Sequence, residues 1–397
     1  QLKKSVKDAI GSNRKLTRQS LEIARKAMEK AAEELERVDL TAPRAPQDAN
    51  TPTSPSIRSY TKTKKGNASG NTGRSGRSGE AGTQRSANGI LTIESTSIPV
   101  RVSNPNGSVE ITGSSGKTIE VSLDFEIAAS SRAREKELAD AMGLQLSSKR
   151  DGYHVEVTVP RLTDPQAKIL KNTLVVTVPS GLRLICKSAY GNVSITGING
   201  AVDATTGYSA MDISDCTGGV TATNSMASIS LTDCIGQAKI QNSYGGIKIS
   251  ACNGATTVSN AYAPISLSDS RGQVTIYNSG EVSVTDHNGS VSVNNQYGTV
   301  SVSRIKGNVD IQNAYQSIEA EDIDGQVRIE NNYSPISISG ITGRSKLINR
   351  FAEIRGENIV GPFDVVSQNG RVELSLGQTL SGPCTINSSY GSVQLEI

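Results

Sequence analysis

SYGGIKISACNGATTVSN, residues 243–260, is one of ten consecutive units with a period of 18 residues that run from Ala189 to Ser367. The first unit reads AYGNVSITGINGAVDATT (189–206) and the eighth AYQSIEAEDIDGQVRIEN (314–331); one unit, SGEVSVTDHNGSVSVNN from Ser279, is a residue short. Self-similarity at a short fixed period marks units that cannot bury an apolar face alone and must stack on their neighbours. Each unit carries a Tyr slot (Tyr190, Tyr208, Tyr244, Tyr262, Tyr297, Tyr315, Tyr333, with Met226 and Phe351 in register), followed three and five residues on by apolar pairs such as Ile247/Ile249 and Val300/Val302. Alternation at period two is a strand with one buried face. Ten residues after the Tyr slot stands a Gly, for example Gly254 or Gly325, and then a second alternating pair such as Val327/Ile329. Two short strands and two turns in 18 residues suit one coil of a parallel β-solenoid, in which each strand pairs with its counterpart roughly 4.7 to 4.9 Å away. The fold class expected is therefore all-β, a parallel β-solenoid of about ten 18-residue coils. A core one side chain thick explains a chain with no Trp and three Phe.

Stacking turns every repeat position into a column. Asn occupies one slot in eight consecutive coils: Asn224, Asn242, Asn260, Asn278, Asn295, Asn313, Asn331 and Asn349. Asn suits a sharp corner, and its amide both donates and accepts, so this column reads as an asparagine ladder hydrogen-bonded along the stack. The Tyr column reads as a stacked corner that finishes the core, with an external sugar platform as the competing reading. Asp215, Asp233, Asp269, Asp286 and Asp322 each begin an Asp-x-x-Gly tetrapeptide, interrupted in the column by Ala251 and Arg304. That composition fits the first position of a type I turn. Weak cation binding and catalysis by the adjacent pairs Asp215/Asp233 or Asp269/Asp286 are the functional alternatives, since carboxylates of a retaining glycosidase stand roughly 5 to 5.5 Å apart. Cys216, Cys234 and Cys252 replace an aliphatic residue found elsewhere as Ile198, Ile305, Ile323 and Ile341, so they read as buried small hydrophobes. A disulfide between neighbouring coils is sterically conceivable. With Cys186 and Cys384 there are five cysteines and no C-x-x-C, so at least one is unpaired or intermolecular.

Composition shifts along the chain divide it. Residues 1–40 read as an amphipathic helix with Leu21, Ala24, Met28, Ala31, Leu35 and Val38 at coiled-coil spacing. Residues 41–88 read as a flexible basic linker, disordered because so polar a segment cannot bury enough apolar surface to offset its chain entropy. The first 88 residues hold 18 Lys/Arg against 9 Asp/Glu, whereas the remainder is mildly acidic. With only Tyr60 among its basic residues, the linker is no specific nucleic-acid binder. Residues 89–188 alternate like strands, interrupted by a helical stretch from Ser131 to Met142, and read as a β-rich entry or cap domain covering the first coil. The repeats occupy 189–367, and 368–397 read as irregular terminal coils. No apolar run is long enough to span a bilayer as a helix. The chain begins at Gln1 without a signal peptide, which suits a processed or trimmed exported product.

PNGSVEITG (105–113), the VTVP and VVTVP strands (157–160 and 175–179), the step SAYGNVSITGINGAVDATT and the repeated YG-x-[VI]-x-[VI] units together resemble the bacterial putative-adhesin β-solenoid family, a domain of unknown function. The resemblance covers Gly89 to Ile397 and implies an exported bacterial protein, periplasmic, at the cell surface or extracellular; the family offers no catalytic residues to carry over, and no catalytic residue, metal or cofactor is expected. The expected function is a non-enzymatic surface or periplasmic structural module, adhesin-like and capable of self-association. A filament-forming subunit docking through the N-terminal helix or an open end, and a glycan-active β-helix enzyme, are the alternatives. The enzyme reading is the weaker, because only His154 and His287 exist, in different regions, and the coils lack the long insertions that wall a substrate cleft. A glycan or cell-surface polymer and further copies of the chain are the partners this leaves open.

Overall fold

The computed structural model describes the backbone of residues 58–62 and all of residues 82–377 and 381–396. The expected N-terminal helix and most of the linker lie outside the described residues. The fold is all-β, a parallel β-solenoid of about 12 turns with a single short helix among the described residues. Those residues form two compact units that divide between Gly219 and Val220.

The first unit explains why there are more turns than exact repeats. Its strands are β1 (Arg58–Lys62), β2 (Thr83–Thr92), β3 (Val100–Asn106), β4 (Ser108–Ser114), β5 (Thr118–Ala128), β6 (Gly143–Lys149), β7 (Gly152–Thr158), β8 (Lys168–Pro179), β9 (Leu184–Tyr190), β10 (Val193–Thr196), β11 (Val202–Thr205) and β12 (Met211–Ser214). β3 lies parallel to β9, Val100 opposite Leu184, and β4 lies parallel to β10, Val109 opposite Val193. The PNGSVEITG stretch is therefore itself a coil beneath the first repeat. β11 then pairs with β9 and β12 with β10, each at a step of 18 residues. On the other side, β7 and β8 add parallel to β3 and β4, while β5 runs antiparallel to both β2 and β8. This turn from parallel to antiparallel pairing closes the open edge that a solenoid end would otherwise present. The helix α1 (Arg132–Ala141) starts at Ser131, whose hydroxyl accepts from the Arg134 amide at 3.3 Å, and buries Leu138 and Ala139. β1 and the start of β2 fall inside the segment expected to be a disordered linker; Tyr60 pairs with Asn88 in an antiparallel ladder. The backbone of a polar segment can still add to an existing sheet edge, which hydrophobicity alone does not foretell.

In the second unit the strands stack in strict register, Ile229 on Ile247 and Ile247 on Ile265 in one row, Val220 on Ala238 and Ala238 on Thr256 in the other. The short repeat keeps this register: Ile265 pairs with Val282, 17 residues on, and Val282 with Val300. Strands alternate buried and outward residues, so Ile247, Ile249, Ile265 and Leu267 lie in the core. The Gly column is a backbone spine. A methyl added to Gly307 would meet the Gly289 carbonyl oxygen at 2.3 Å, and one added to Gly325 would meet the Gly307 oxygen at 2.2 Å. Only a residue without Cβ lets consecutive corners approach at coil spacing.

Candidate binding surface

The Tyr column is outside, not in the core. Its side chains from Tyr190 to Phe351 are between 45% and 60% exposed. The corner explains the difference from expectation: after Val258 the alternation stops, since Ser259, Asn260 and Ala261 are all buried, and Tyr262 emerges on the solvent side. Within the first unit Tyr190 and Tyr208 stack with ring centroids 4.8 Å apart and planes within 3°. Within the second unit Tyr244 stacks on Tyr262 at 5.3 Å. Tyr297, Tyr315, Tyr333 and Phe351 form an unbroken four-rung stack at 5.1, 5.2 and 5.3 Å with interplanar angles of 7°, 10° and 7°. Offset stacking at such distances is the favoured arrangement of two aromatic rings. It also bears on the sugar reading, because a pyranose packs against an open ring face and, within each stack, these faces are already occupied by the next ring. What the strip offers along its length is ring edges and hydroxyls.

The Asn column points inward and works differently from the ladder expected. Its amides donate to corner carbonyls, and those of Asn242, Asn260, Asn278, Asn313, Asn331 and Asn349 each bridge the corners of two successive coils. Asn242 Nδ2 donates to Ala227 O and Gly245 O, both at 2.8 Å, and Asn260 Nδ2 donates to the same Gly245 oxygen and to Ala263 O, both at 3.0 Å. Asn331 repeats the pattern with Gln316 O at 2.9 Å and Ser334 O at 2.8 Å, and its Oδ1 accepts the Asn332 amide at 2.9 Å. The amides are spent on buried backbone and are closed to a ligand.

The Asp column is corrected in its conformation. Asp215, Asp233, Asp269, Asp286 and Asp322 are themselves left-handed, with φ between 52° and 54°, as are Ala251 and Arg304 in the same slot. They form a one-residue bend rather than opening a type I turn, and Asp is chosen because it tolerates that region. Ala251, at φ 54°, does not. Ala251→Gly is expected to raise stability by about 1 kcal/mol, measured by denaturant titration. Asp286 is held by Arg304 through bonds of 2.6 and 2.7 Å, which keep its carboxyl below the usual range. A glycosidase pair needs one carboxyl raised to act as acid, so this ion pair counts against Asp269/Asp286 as catalytic. Asp215 and Asp233 lie in different units. Among the described residues no three His, Cys, Asp or Glu side chains converge as metal ligands.

No disulfide joins the five cysteines, four of which are buried. Burial pushes the Cys186 thiol up to about 12. Cys252 is lowered, chiefly because the Cys234 thiol one coil earlier hydrogen-bonds to it. The column continues with residues the repeat pattern could have flagged: Ser270 and His287 fill the same slot before Ile305. Ser270 Oγ accepts the Cys252 amide at 3.2 Å, and His287 Nε2 lies 2.8 Å from Gly272 O while its Nδ1 is buried without a partner. Desolvation lowers the His287 pKa, so the folded chain resists a proton that the unfolded chain binds near 6.5. Stability supplied by the neutral ring is complete above that pH and is lost as the pH falls below it. His287→Ile, the residue of the next coil, is expected to flatten this acid-side decline in thermal midpoint. His154 sits apart in β7, its nitrogens 3.0 Å from Asp151 and Glu156 carboxylates.

No family model and no curated protein matches the chain. Several solved structures are similar in fold. A "putative cell adhesion protein" from Clostridium sporogenes shares 10% identity over 78% of this chain and 98% of its own, with a TM-score of 0.19. A "putative adhesin" from Bacteroides fragilis shares 12% over 78% and 96%, with a TM-score of 0.26. A "Putative lipid binding protein" from Parabacteroides distasonis shares 10% over 78% and 96%, with a TM-score of 0.21. With TM-scores this low, such likenesses carry no weight on what the chain binds.

Proposed function

We propose that the chain is a non-enzymatic, exported structural β-solenoid of adhesin-like character, which binds through its exposed aromatic strip. One observation carries this reading. The Asn, Gly and Asp columns are absorbed by the geometry of stacking, whereas the Tyr column is exposed, regular and spent on no internal task beyond its own stacks. Tyr is among the residues most enriched at recognition surfaces. Apart from Arg350 next to Phe351, the residues flanking the rings, among them Ala261, Gln296, Ala314 and Asn332, are uncharged, which suits a neutral cell-surface polymer or protein better than an anionic one. Among the described residues no helix is long and apolar enough to cross a membrane.

Purified chain at micromolar concentration is expected to be retained on bacterial cells or on cell-wall polymer, and Tyr315→Ser combined with Tyr333→Ser to reduce retention at least tenfold. Wild-type chain that binds neither would refute the reading. Lateral self-association is a second reading favoured by the strip's area: seven half-exposed side chains from Met226 to Phe351 offer roughly 700 Å², close to the ~800 Å² per partner of a standard interface. Negative-stain images of filaments or paired rods, lost in the same double variant, would support it.

A further inference from the structure

The aromatic column has one vacant rung. The short repeat lacks its Tyr, so the corner Asn278-Ser279-Gly280-Glu281 replaces the longer Asn260-Ala261-Tyr262-Ala263-Pro264. The register on either side is kept, Ile265 to Val282 to Val300, and Gly298 stacks directly over Gly280, where an added Cβ would meet the Gly280 carbonyl carbon at 2.1 Å. The strand register is continuous through this coil; its corner is one residue shorter and carries no ring. Tyr262 ends one stack and Tyr297 begins the next. These two rings have the highest exposures of the column, 60% and 56%, as expected when each turns one face toward an empty position. They stand two coils apart, about 10 Å at the usual strand spacing, and a ring placed midway would lie about 5 Å from each, within the range of favourable offset stacking.

We propose that the slot between Tyr262 and Tyr297 is a binding site for a single aryl ring of phenol size, which completes the aromatic stack over Gly280. The size follows from the slot itself, since in the neighbouring coils the equivalent space is filled by a phenol. The floor is backbone, because Gly280 has no side chain, and the site is open to solvent on its outer side. A pyranose is the competing flat ligand, but it needs hydroxyl partners around its rim, and the one charged side chain at this corner is Glu281. The ring can come from a free small molecule or from a Tyr or Phe side chain of another polypeptide, and these two sources present the same chemistry to the slot.

The test uses the full chain with tyrosine ring signals followed by NMR. p-Cresol and the blocked tripeptide Gly-Tyr-Gly are titrated in parallel, with methyl glucoside as the sugar arm. p-Cresol is expected to shift Tyr262 and Tyr297 with a low-millimolar dissociation constant, as befits a ligand of eight heavy atoms in an open site. Comparable binding by the tripeptide points to a polypeptide source, and binding by p-cresol alone to a small molecule. A variant with one Tyr inserted between Ser279 and Gly280 restores the 18-residue period; it is expected to abolish the p-cresol shifts and to raise the melting temperature by a few degrees. Shifts that persist in the insertion variant, shifts spread evenly over all the tyrosines, none at tens of millimolar, or a response to methyl glucoside alone would each overturn the proposal.

Discussion

Gly307→Ala is expected to break the stack locally, at a cost of about 4 kcal/mol or more, while Gly246→Ala is expected to leave stability within about 0.5 kcal/mol of wild type. At Gly307 the new methyl would stand 2.3 Å from the Gly289 carbonyl oxygen and 2.6 Å from its carbon, and the backbone there has φ 154°. Both contacts are backbone, and both belong to a row of corners whose hydrogen bonds fix the coil spacing. Gly307 N donates to Asp324 O at 3.0 Å and Gly289 N to Lys306 O at 2.9 Å. Relief requires one coil to lift from the next, which stretches these bonds and opens the core beside Ile305 and Val309. A methyl on Gly246 meets nothing closer than the Pro264 oxygen at 3.6 Å, an ordinary contact. Because each coil touches only its neighbours, the damage should stay local. Amide exchange in 289–325 should rise steeply while 336–376 remain protected. Equal melting of both variants would mean that the glycines serve only as turn residues.

The strand rows and their register were legible because an 18-residue period leaves a stacked chain no other way to superpose Ile247, Ile265 and Val282. The same period exposed the Asn and Gly columns, although not what they do. Whether an amide bonds its own copy one coil on or a corner carbonyl depends on which way the corner turns, and that is a backbone matter invisible in the residue types. The side on which the Tyr rings emerge was misread for the same reason: alternation extrapolated through Ser259 and Asn260 puts Tyr262 inside, and the corner reverses the phase. The left-handed bend at Asp286 was read as a type I turn because both favour Asp before Gly, and only Arg304 and Ala251 in the same slot hint that the backbone, not the carboxylate, sets the geometry. The coil formed by β3 and β4 escapes the repeat count because residues 115–183 interrupt the period with β5 to β8 and α1. The vacant rung was visible as a deleted residue; its meaning needed the exposed faces of Tyr262 and Tyr297.

Asn331→Asp, a change of one atom group with no change in volume, should destabilise more than Asn331→Ala. The wild-type Nδ2 donates to Gln316 O and Ser334 O, so both of its protons satisfy carbonyls of successive coils, while Oδ1 accepts the Asn332 amide. Asn331 is 2% exposed, so water is not at hand to replace any of the three. Alanine leaves the Asn332 amide without its acceptor and removes one of the two amide donors from each of Gln316 O and Ser334 O, which Asn313 and Asn349 still serve, a loss of about 1 to 3 kcal/mol. An ionised aspartate keeps the bond to the Asn332 amide but sets an anion against two carbonyl oxygens in a buried corner, where its own desolvation also counts. The carboxyl escapes by binding a proton, which restores one donor of the two. Asn331→Asp is therefore expected to gain stability as the pH falls, from a deficit above that of alanine at neutral pH to a smaller one in acid, whereas Asn331→Ala should show no such trend relative to wild type. Thermal midpoints of the three proteins across an acid-to-neutral series decide it. Parallel curves for Asp and Ala would mean that the corner opens to water and that the amide bridges do not hold the coils together.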